Sequence, residues 1–444
     1  SFFITLPQTP QGDVVELRVY PQDENGSGPD LLIPVLNGLP VEDASLLPRT
    51  AKHAYRMYFL MVDRFANGDK ANDAPVNDPD IAPQANYLGG DLAGVIAQTN
   101  TGYFDSLGVN TVWLSPIGLN PQGAWGLWNK NGVKSKFSGY HGYWPAQSKK
   151  IDPRMGTDAQ LDELITAMHA GSNNILLDYV ANHVHEEHPV FKQHPDWATE
   201  LYLPDGTLNT EKWDEHRLTT WFDTFLPTID LENKEAADAM SDSAVYWFER
   251  FAIDGFRHDA TKHIPESFWR TLTHKLKERV AVPQNRSIYQ IGETYGSADL
   301  INSYISSGML DAQFDFNLYD AAVNAFAHPT EDFSNLKRVL TEGIDTYGSH
   351  HLMGNISGNQ DRVRFISYAD GSVDFSEDGK NAGWTRTISN QNGSLGYERL
   401  AMLHAFNYAV PGIPVIYYGD EIGLPGANDP DNRRMMEFAG LDSH

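Results

Sequence analysis

The 444-residue chain contains no cysteine. That absence removes disulfides, thiolate metal sites and cysteine nucleophiles together. No apolar run reaches the roughly 18 residues that span a bilayer, so membrane insertion by a helix is not expected. Positive charge is scarce: 33 Lys and Arg stand against 59 Asp and Glu, a formal net charge of −26. So acidic a surface repels phosphate backbones and anionic headgroups, which sets nucleic acid aside as a partner. No Gly-rich phosphate loop followed by basic residues occurs, which argues against nucleotide chemistry. There is no internal repeat and no low-complexity tract. The chain opens at Ser1 without an initiator Met or a signal peptide, so a processed or trimmed product is expected.

What remains is an ordinary folded composition, 41% hydrophobic and 21% charged. Its length admits one large domain with attachments. Residues 1–48 carry apolar stretches (FFITL, VVELRVY, LLIPVL) between turn-forming residues and predict a short N-terminal β segment. From about residue 55, eight strand-like runs alternate with amphipathic stretches: MYFLMV, VNTVWLSP, ILLDYVANH, IDGFRHDA, SIYQIGE, AQFDFNL, LMGNIS and IPVIYYG. That alternation predicts an α/β architecture with a parallel sheet. The division expected is 1–48, a first barrel part 49–183, an inserted subdomain 184–231 rich in Pro, His and Trp, and a second barrel part 232–444. The short stretch after the eighth run predicts a truncation at the C-terminus.

Three acids stand at the ends of candidate strands: Asp259 in GFRHDATKH, Glu293 in IGETY and Asp361 in SGNQD. Two carboxylates suffice to cleave a glycosidic bond, one attacking the anomeric carbon and one protonating the leaving oxygen. Arg257 precedes Asp259 by two residues, so both side chains leave the strand on one face, where a guanidinium favours the ionised nucleophile. Singly, each acid reads more simply as a cap or an ion-pair partner.

In order, ILLDYVANH, GFRHDATKH, IGETY and SGNQD resemble the four signature regions of the α-amylase family of glycoside hydrolases, and GYHGYW and GIPVIYYGDE are similar to that family as well. The nearest branch is that of neopullulanases and cyclomaltodextrinases. The resemblance spans roughly residues 55–425. It implies a (β/α)8 TIM barrel with a subdomain inserted after strand 3. It also implies retaining hydrolysis of α-1,4-glucosidic bonds in starch-type glucans, pullulan or cyclodextrins through a covalent glycosyl-aspartate. Asp259 would be the nucleophile, Glu293 the general acid/base and Asp361 the transition-state stabiliser. Arg257 would position Asp259. His141 and His183 would bond the sugar in the cleaved subsite, Tyr143 would stack beneath it and Asp178 would support the cluster. For each of these aromatic residues alone, core packing is the simpler reading.

Two positions depart from the family pattern. Gln360 stands where His usually precedes the third acid, and an amide donates a hydrogen bond but carries no charge. Thr228, in LPTID, stands where many amylases have an acidic calcium ligand, so Asn182 and His263 are not expected to hold metal there. A second calcium site is expected instead. DRFANGDKAND followed by GGD offers Asn67, Asp69, Asn72, Asp73, Gly89 and Asp91, an oxygen-rich set of the kind Ca2+ takes, in a spacing that resembles the first-loop site of cyclodextrin glycosyltransferases and neopullulanases. An Asx-rich turn satisfied by its own backbone is the alternative.

Trp125 and Trp128 in the loop after the second strand, with Trp197, Trp213 and Trp221 in the insertion, are candidate sugar platforms or packed core. An α-glucan is the expected partner. The alternatives are an α-glucan transglycosylase or isomerase on the same residues and, more remotely, a non-catalytic carbohydrate-binding homologue. A periplasmic or extracellular location is expected, and the sequence leaves the oligomeric state open.

Overall fold

The computed structural model describes residues 14–23, 26–27, 31–328, 332–391 and 393–440. The FFITL run lies outside them. All eight apolar runs become strands of one parallel sheet: β1 Met57–Leu60, β2 Thr111–Leu114, β3 Asn174–Tyr179, β4 Gly255–His258, β5 Tyr289–Gly292, β6 Ala312–Gln313, β7 Gly354–Ile356 and β8 Ile413–Tyr417. Their spatial order is 6-5-4-3-2-1-8-7. A parallel bridge between Phe314 and Gly354 brings the two ends together, so the sheet is nearly closed as a barrel. Every residue of every strand is buried, as parallel strands covered on both faces require.

The covering layer comes from helices such as Leu92–Asn100, Asp158–Ala170, Lys234–Arg250, Glu266–Leu276, Phe316–Ala327 and Leu395–Ala409. Their starts are written in the sequence. Thr157 and Gln160 form a reciprocal capping box, and Asn233 and Asp315 accept from first-turn amides. Among the described residues, no helix is long and apolar enough to cross a membrane.

Inside the barrel, aromatic rings stack through the centre. Phe59 lies on Trp113 at 3.7 Å between centroids, and Trp113 lies on Phe314 at 5.2 Å. Gly255 lets β4 and β5 approach: a Cβ there would meet the Tyr289 carbonyl oxygen at 2.1 Å.

Between β3 and Lys234–Arg250, residues 180–233 form one long connection, which contains the 184–231 expected as an inserted subdomain. It holds the short helices Pro189–Gln193 and Pro195–Trp197 and isolated bridges such as Ala198 to Ile229. The N-terminal segment is an antiparallel sheet of Val14–Val19, Leu31–Leu36 and Leu39–Pro40. Below it, Arg49 pairs with Asp254 at 2.6 Å and Lys52 with Asp311 at 2.7 Å, pinning the following loop to the amino-terminal end of the barrel.

Candidate active site

Strand register assembles the site. Asp178 pairs with Arg257, and His258 pairs with Gly292, so the next residues, Asp259 and Glu293, emerge side by side at the carboxyl ends of β4 and β5. The Glu293 N–H donates to the His258 carbonyl at 3.0 Å and the Asp259 N–H to the Tyr179 carbonyl at 3.0 Å. Ala260 turns the chain away from β4 in a left-handed conformation (φ 51°).

Arg257 is fully buried and serves three carboxylates. Its Nη1 donates to Asp259 Oδ1 at 2.9 Å and to both oxygens of Asp178 at 2.8 and 2.9 Å, while Nη2 pairs with Glu293 Oε2. Asp178 also accepts from Trp113 Nε1 at 3.0 Å and from the Tyr143 hydroxyl at 2.8 Å. One guanidinium cannot neutralise three acids, so this cluster favours retaining a proton. Burial raises the affinity of Glu293 for a proton, Arg257 opposes that, and the neighbouring Asp259 adds to it. Burial raises Asp259 as well, and direct contact with Arg257 is the largest opposing effect.

His141, Tyr143 and His183 form the adjoining wall. The Tyr143 N–H donates to His141 Nδ1 at 3.0 Å, and His183 Nε2 bonds the Tyr143 carbonyl at 3.0 Å. The His141 and Tyr143 rings lie 5.8 Å apart and nearly parallel. Burial holds His141 down at about 3 and His183 at about 4, so both imidazoles are neutral near pH 7.

Asp361 stands beyond β7, on the far side of this group. Its N–H donates to Asn359 Oδ1 at 3.0 Å, and its carboxylate accepts from Gln360 Nε2 at 3.0 Å and pairs with Arg433 Nη2 at 3.0 Å. Gln360 is buried, and its Oε1 has no hydrogen-bond partner. The structure thus brings together Asp178, Arg257, Asp259 and Glu293 as one bonded set, with His141, Tyr143 and His183 on one border and Gln360 and Asp361 on another.

Sequence reasoning passed over Arg433 and Asp429, which pair at 2.9 Å directly behind Asp361. Their signal was the charge-dense run NDPDNRR after the last strand. It also missed Trp113, an aromatic in a strand that reads as plain core.

The expected calcium residues lie in one loop after β1. Asp91 is fully buried and caps Leu92–Asn100 through Gly94 N at 2.7 Å. It also accepts from Gly68 N, Asp69 N and Asn72 Nδ2, each at 2.9 Å. Asn67 Nδ2 donates to Asp73 Oδ1 at 2.8 Å. Both of those side chains crowd Gly89, where a Cβ would meet them at 2.4–2.5 Å. Asn67 Oδ1 and Asn72 Oδ1 are buried without partners. Two orphaned amide oxygens beside an aspartate and a glycine backbone are an oxygen donor set that fits Ca2+. Among the described residues, no group of three or more His, Cys, Asp or Glu side chains has metal-holding geometry, so the fit rests on amide and carbonyl oxygens.

At the Thr228 position, where no metal is expected, the Thr228 hydroxyl donates to the Thr220 carbonyl at 2.7 Å and His263 Nδ1 bonds the Arg217 carbonyl at 2.7 Å. Of the tryptophans, Trp128, Trp197 and Trp221 are buried, which favours the packing reading for them over that of sugar platforms, while Trp125 and Trp213 are half-buried.

Acids gathered on one arginine at the carboxyl mouth of a (β/α)8 barrel fit the class of barrel glycoside hydrolases. The chain belongs to the α-amylase family, whose catalytic domain matches residues 59–442. It is 27% identical over 400 residues to a cyclomaltodextrinase of Bacillus sp., covering 86% of this chain and 61% of that protein. It is 26% identical over 404 residues to neopullulanase 2 of Thermoactinomyces vulgaris, covering 88% and 60%. The chain therefore spans about three-fifths of the length of these relatives. Among solved structures, the α-amylase of Geobacillus thermoleovorans complexed with acarbose superposes with a TM-score of 0.69 at 30% identity, over 88% of this chain and 76% of that one.

Proposed function

We propose that the chain hydrolyses α-1,4-glucosidic bonds in starch-type glucans, pullulan or cyclodextrins with retention of the anomeric configuration. The observation that carries this is the single guanidinium of Arg257 bonded to both Asp259 and Glu293. Retaining glycosidases hold their two carboxyls roughly 5–5.5 Å apart and inverting ones further, with water between, and two acids sharing one guanidinium fit the closer arrangement.

In the first step an Asp259 oxygen attacks the anomeric carbon. The bond to the leaving oxygen breaks, and Glu293 transfers its proton to that oxygen. In the second step Glu293 takes a proton from water, the water oxygen attacks the same carbon, and the ester to Asp259 breaks. Asp361 stabilises positive charge developing on the sugar ring. Neutral His141 and His183 hydrogen-bond its hydroxyls, Tyr143 packs beneath it, and Gln360 orients Asp361.

The loop residues Asn67, Asp69, Asn72, Asp73, Gly89 and Asp91 hold a structural Ca2+ in this reading, with Asp91 bracing the loop. When bound, the ion would draw the free amide oxygens together and stiffen the chain beside β1.

Transfer of the glycosyl group to a second sugar is the alternative outcome, and a cyclomaltodextrin glucanotransferase of Bacillus sp. (strain 17-1), 26% identical, favours keeping it. A product time course on soluble starch, pullulan, γ-cyclodextrin and maltotriose separates the two. Shorter products throughout support hydrolysis, products longer than the maltotriose supplied support transfer, and no turnover on any substrate contradicts both.

A further inference from the structure

Glu293 is held at both of its ends by the turn that follows β4. The chain leaves that strand through Asp259, turns at Ala260 in the left-handed region (φ 51°) and presents Thr261 to the end of β5. The Thr261 hydroxyl donates to the His258 carbonyl at 3.1 Å and accepts from the Glu293 N–H at 3.0 Å. That N–H reaches the same carbonyl at 3.0 Å, so the three groups close a triangle across the ends of the two strands. The Ala260 N–H, in turn, hydrogen-bonds the Glu293 carboxyl. One turn thus grips the acid by its main chain and by its side chain.

Two features show that the hydroxyl is placed for this contact. Thr261 is fully buried, yet its oxygen does not cap the short turn Thr261–His263 that it begins, which closes instead from the Ile264 N–H to the Thr261 carbonyl at 3.1 Å. Gly292 makes the room: a Cβ there would meet Thr261 Oγ1 at 2.6 Å and Gln313 Oε1 at 2.7 Å. A side chain at 292 would therefore push the hydroxyl off the Glu293 N–H. Left-handed backbone at a residue other than glycine is strained, and it persists where the surroundings fix it.

The contact matters because of where Glu293 stands. It lies one residue past the last paired position of β4 and β5, His258 opposite Gly292, where a strand end is free to fray. A general acid has to bring its proton within roughly 2.6–3.2 Å of the oxygen that receives it. A main chain that shifts at this residue carries the carboxyl off that line.

We infer that Thr261 is the positioning residue of the acid/base, its hydroxyl fixing the Glu293 main chain so that the carboxyl meets the leaving oxygen. This rests on the hydrolase reading above and adds to it a buried residue that acts through Glu293.

The test uses two substrates that differ in their need for an acid: maltotetraose, followed by new reducing ends, and α-maltotriosyl fluoride, followed by fluoride release. In both, an Asp259 oxygen bonds the anomeric carbon. With maltotetraose the C–O bond breaks and the Glu293 proton passes to the departing oxygen; with the fluoride the C–F bond breaks and fluoride leaves without a proton. Thr261→Val keeps the shape and removes the hydroxyl. It should lower kcat/KM on maltotetraose by about tenfold, and on the fluoride by less than about twofold. Thr261→Ser, which restores the hydroxyl, should return the maltotetraose value to within about threefold of the parent. Gly292→Ala, which crowds the hydroxyl with Thr261 intact, should reproduce the selective loss, and it decides by the same comparison should Thr261→Val not fold. Equal losses on both substrates, or no loss on either, would overturn the inference while leaving the hydrolase reading standing. A folded parent protein inert on both would overturn that reading and this inference with it.

Discussion

Two buried charged side chains organise this barrel mouth, and they are treated in opposite ways. Asp91, below the β1 loop, accepts four hydrogen bonds from three backbone amides and one side-chain amide, so its charge is fully met. Arg257, at the end of β4, is shared among three carboxylates and meets none of them fully. A satisfied buried charge fixes a conformation. An over-subscribed one leaves excess negative charge and a mobile proton in a water-poor site, where each becomes useful to a reaction. In the reading proposed above, one charge holds structure and the other holds chemistry, and the same polar elements serve both.

That contrast is sharpest in substitution. Asp259→Asn should lower kcat by about 10⁴-fold, because it removes the attacking oxygen's charge, while the thermal midpoint stays near that of the parent. Asp91→Ala should do the reverse. Loss of a helix cap and of the buried bonds to the loop should cost about 3 kcal/mol in a denaturant titration, with kcat of the folded fraction little changed. A large fall in kcat for Asp91→Ala, or an unfolded Asp259→Asn, would break the division of labour.

Removal by a chelator of the Ca2+ proposed for the β1 loop belongs on the structural side of the comparison. It should lower the melting temperature by more than it lowers the initial rate, since an ion that binds only the folded loop stabilises by mass action. Equal effects on both would place the ion in the cleft.

A smaller effect comes from the buried imidazoles around the site. Burial holds His258 and His141 down at about 3 and His183 at about 4, against an ordinary value of 6.5. The unfolded chain binds these protons near pH 6.5 and the folded chain does not. Their contribution to stability is therefore complete above about pH 6.5 and is lost as pH falls toward 4. Thermal midpoints measured from pH 7 to 4 should fall accordingly. His258→Gln, behind the site against Trp269 and Gln290, should make that fall shallower.

The sequence carried most of this molecule because its signals were local. Eight apolar runs became eight strands since a strand buried on both faces must be apolar throughout. Asp259 and Glu293 were legible as candidates because strand ends are where a barrel mouth collects polar groups, and as a pair through the resemblance of their segments to the family's signature regions. Arg257 was legible from the two-residue repeat of a strand. What stayed hidden depends on distant parts of the chain. Arg433 reaches Asp361 from 72 residues further along, and Trp128 meets Trp384 from a part of the chain far away in sequence. Neither position carries a periodicity that announces its partner. Trp128 was ambiguous between platform and core for the same reason, since its burial is supplied by a helix far away in sequence.

The central claim is that Asp259 and Glu293, held on one arginine, act by double displacement. Proton NMR of a fresh digest of a linear maltooligosaccharide tests it most directly, read before the new reducing ends equilibrate. The account predicts that the α anomer appears first and the β anomer grows in later by mutarotation. Initial appearance of the β anomer would mean inversion and would contradict the assignment of Asp259 as a nucleophile.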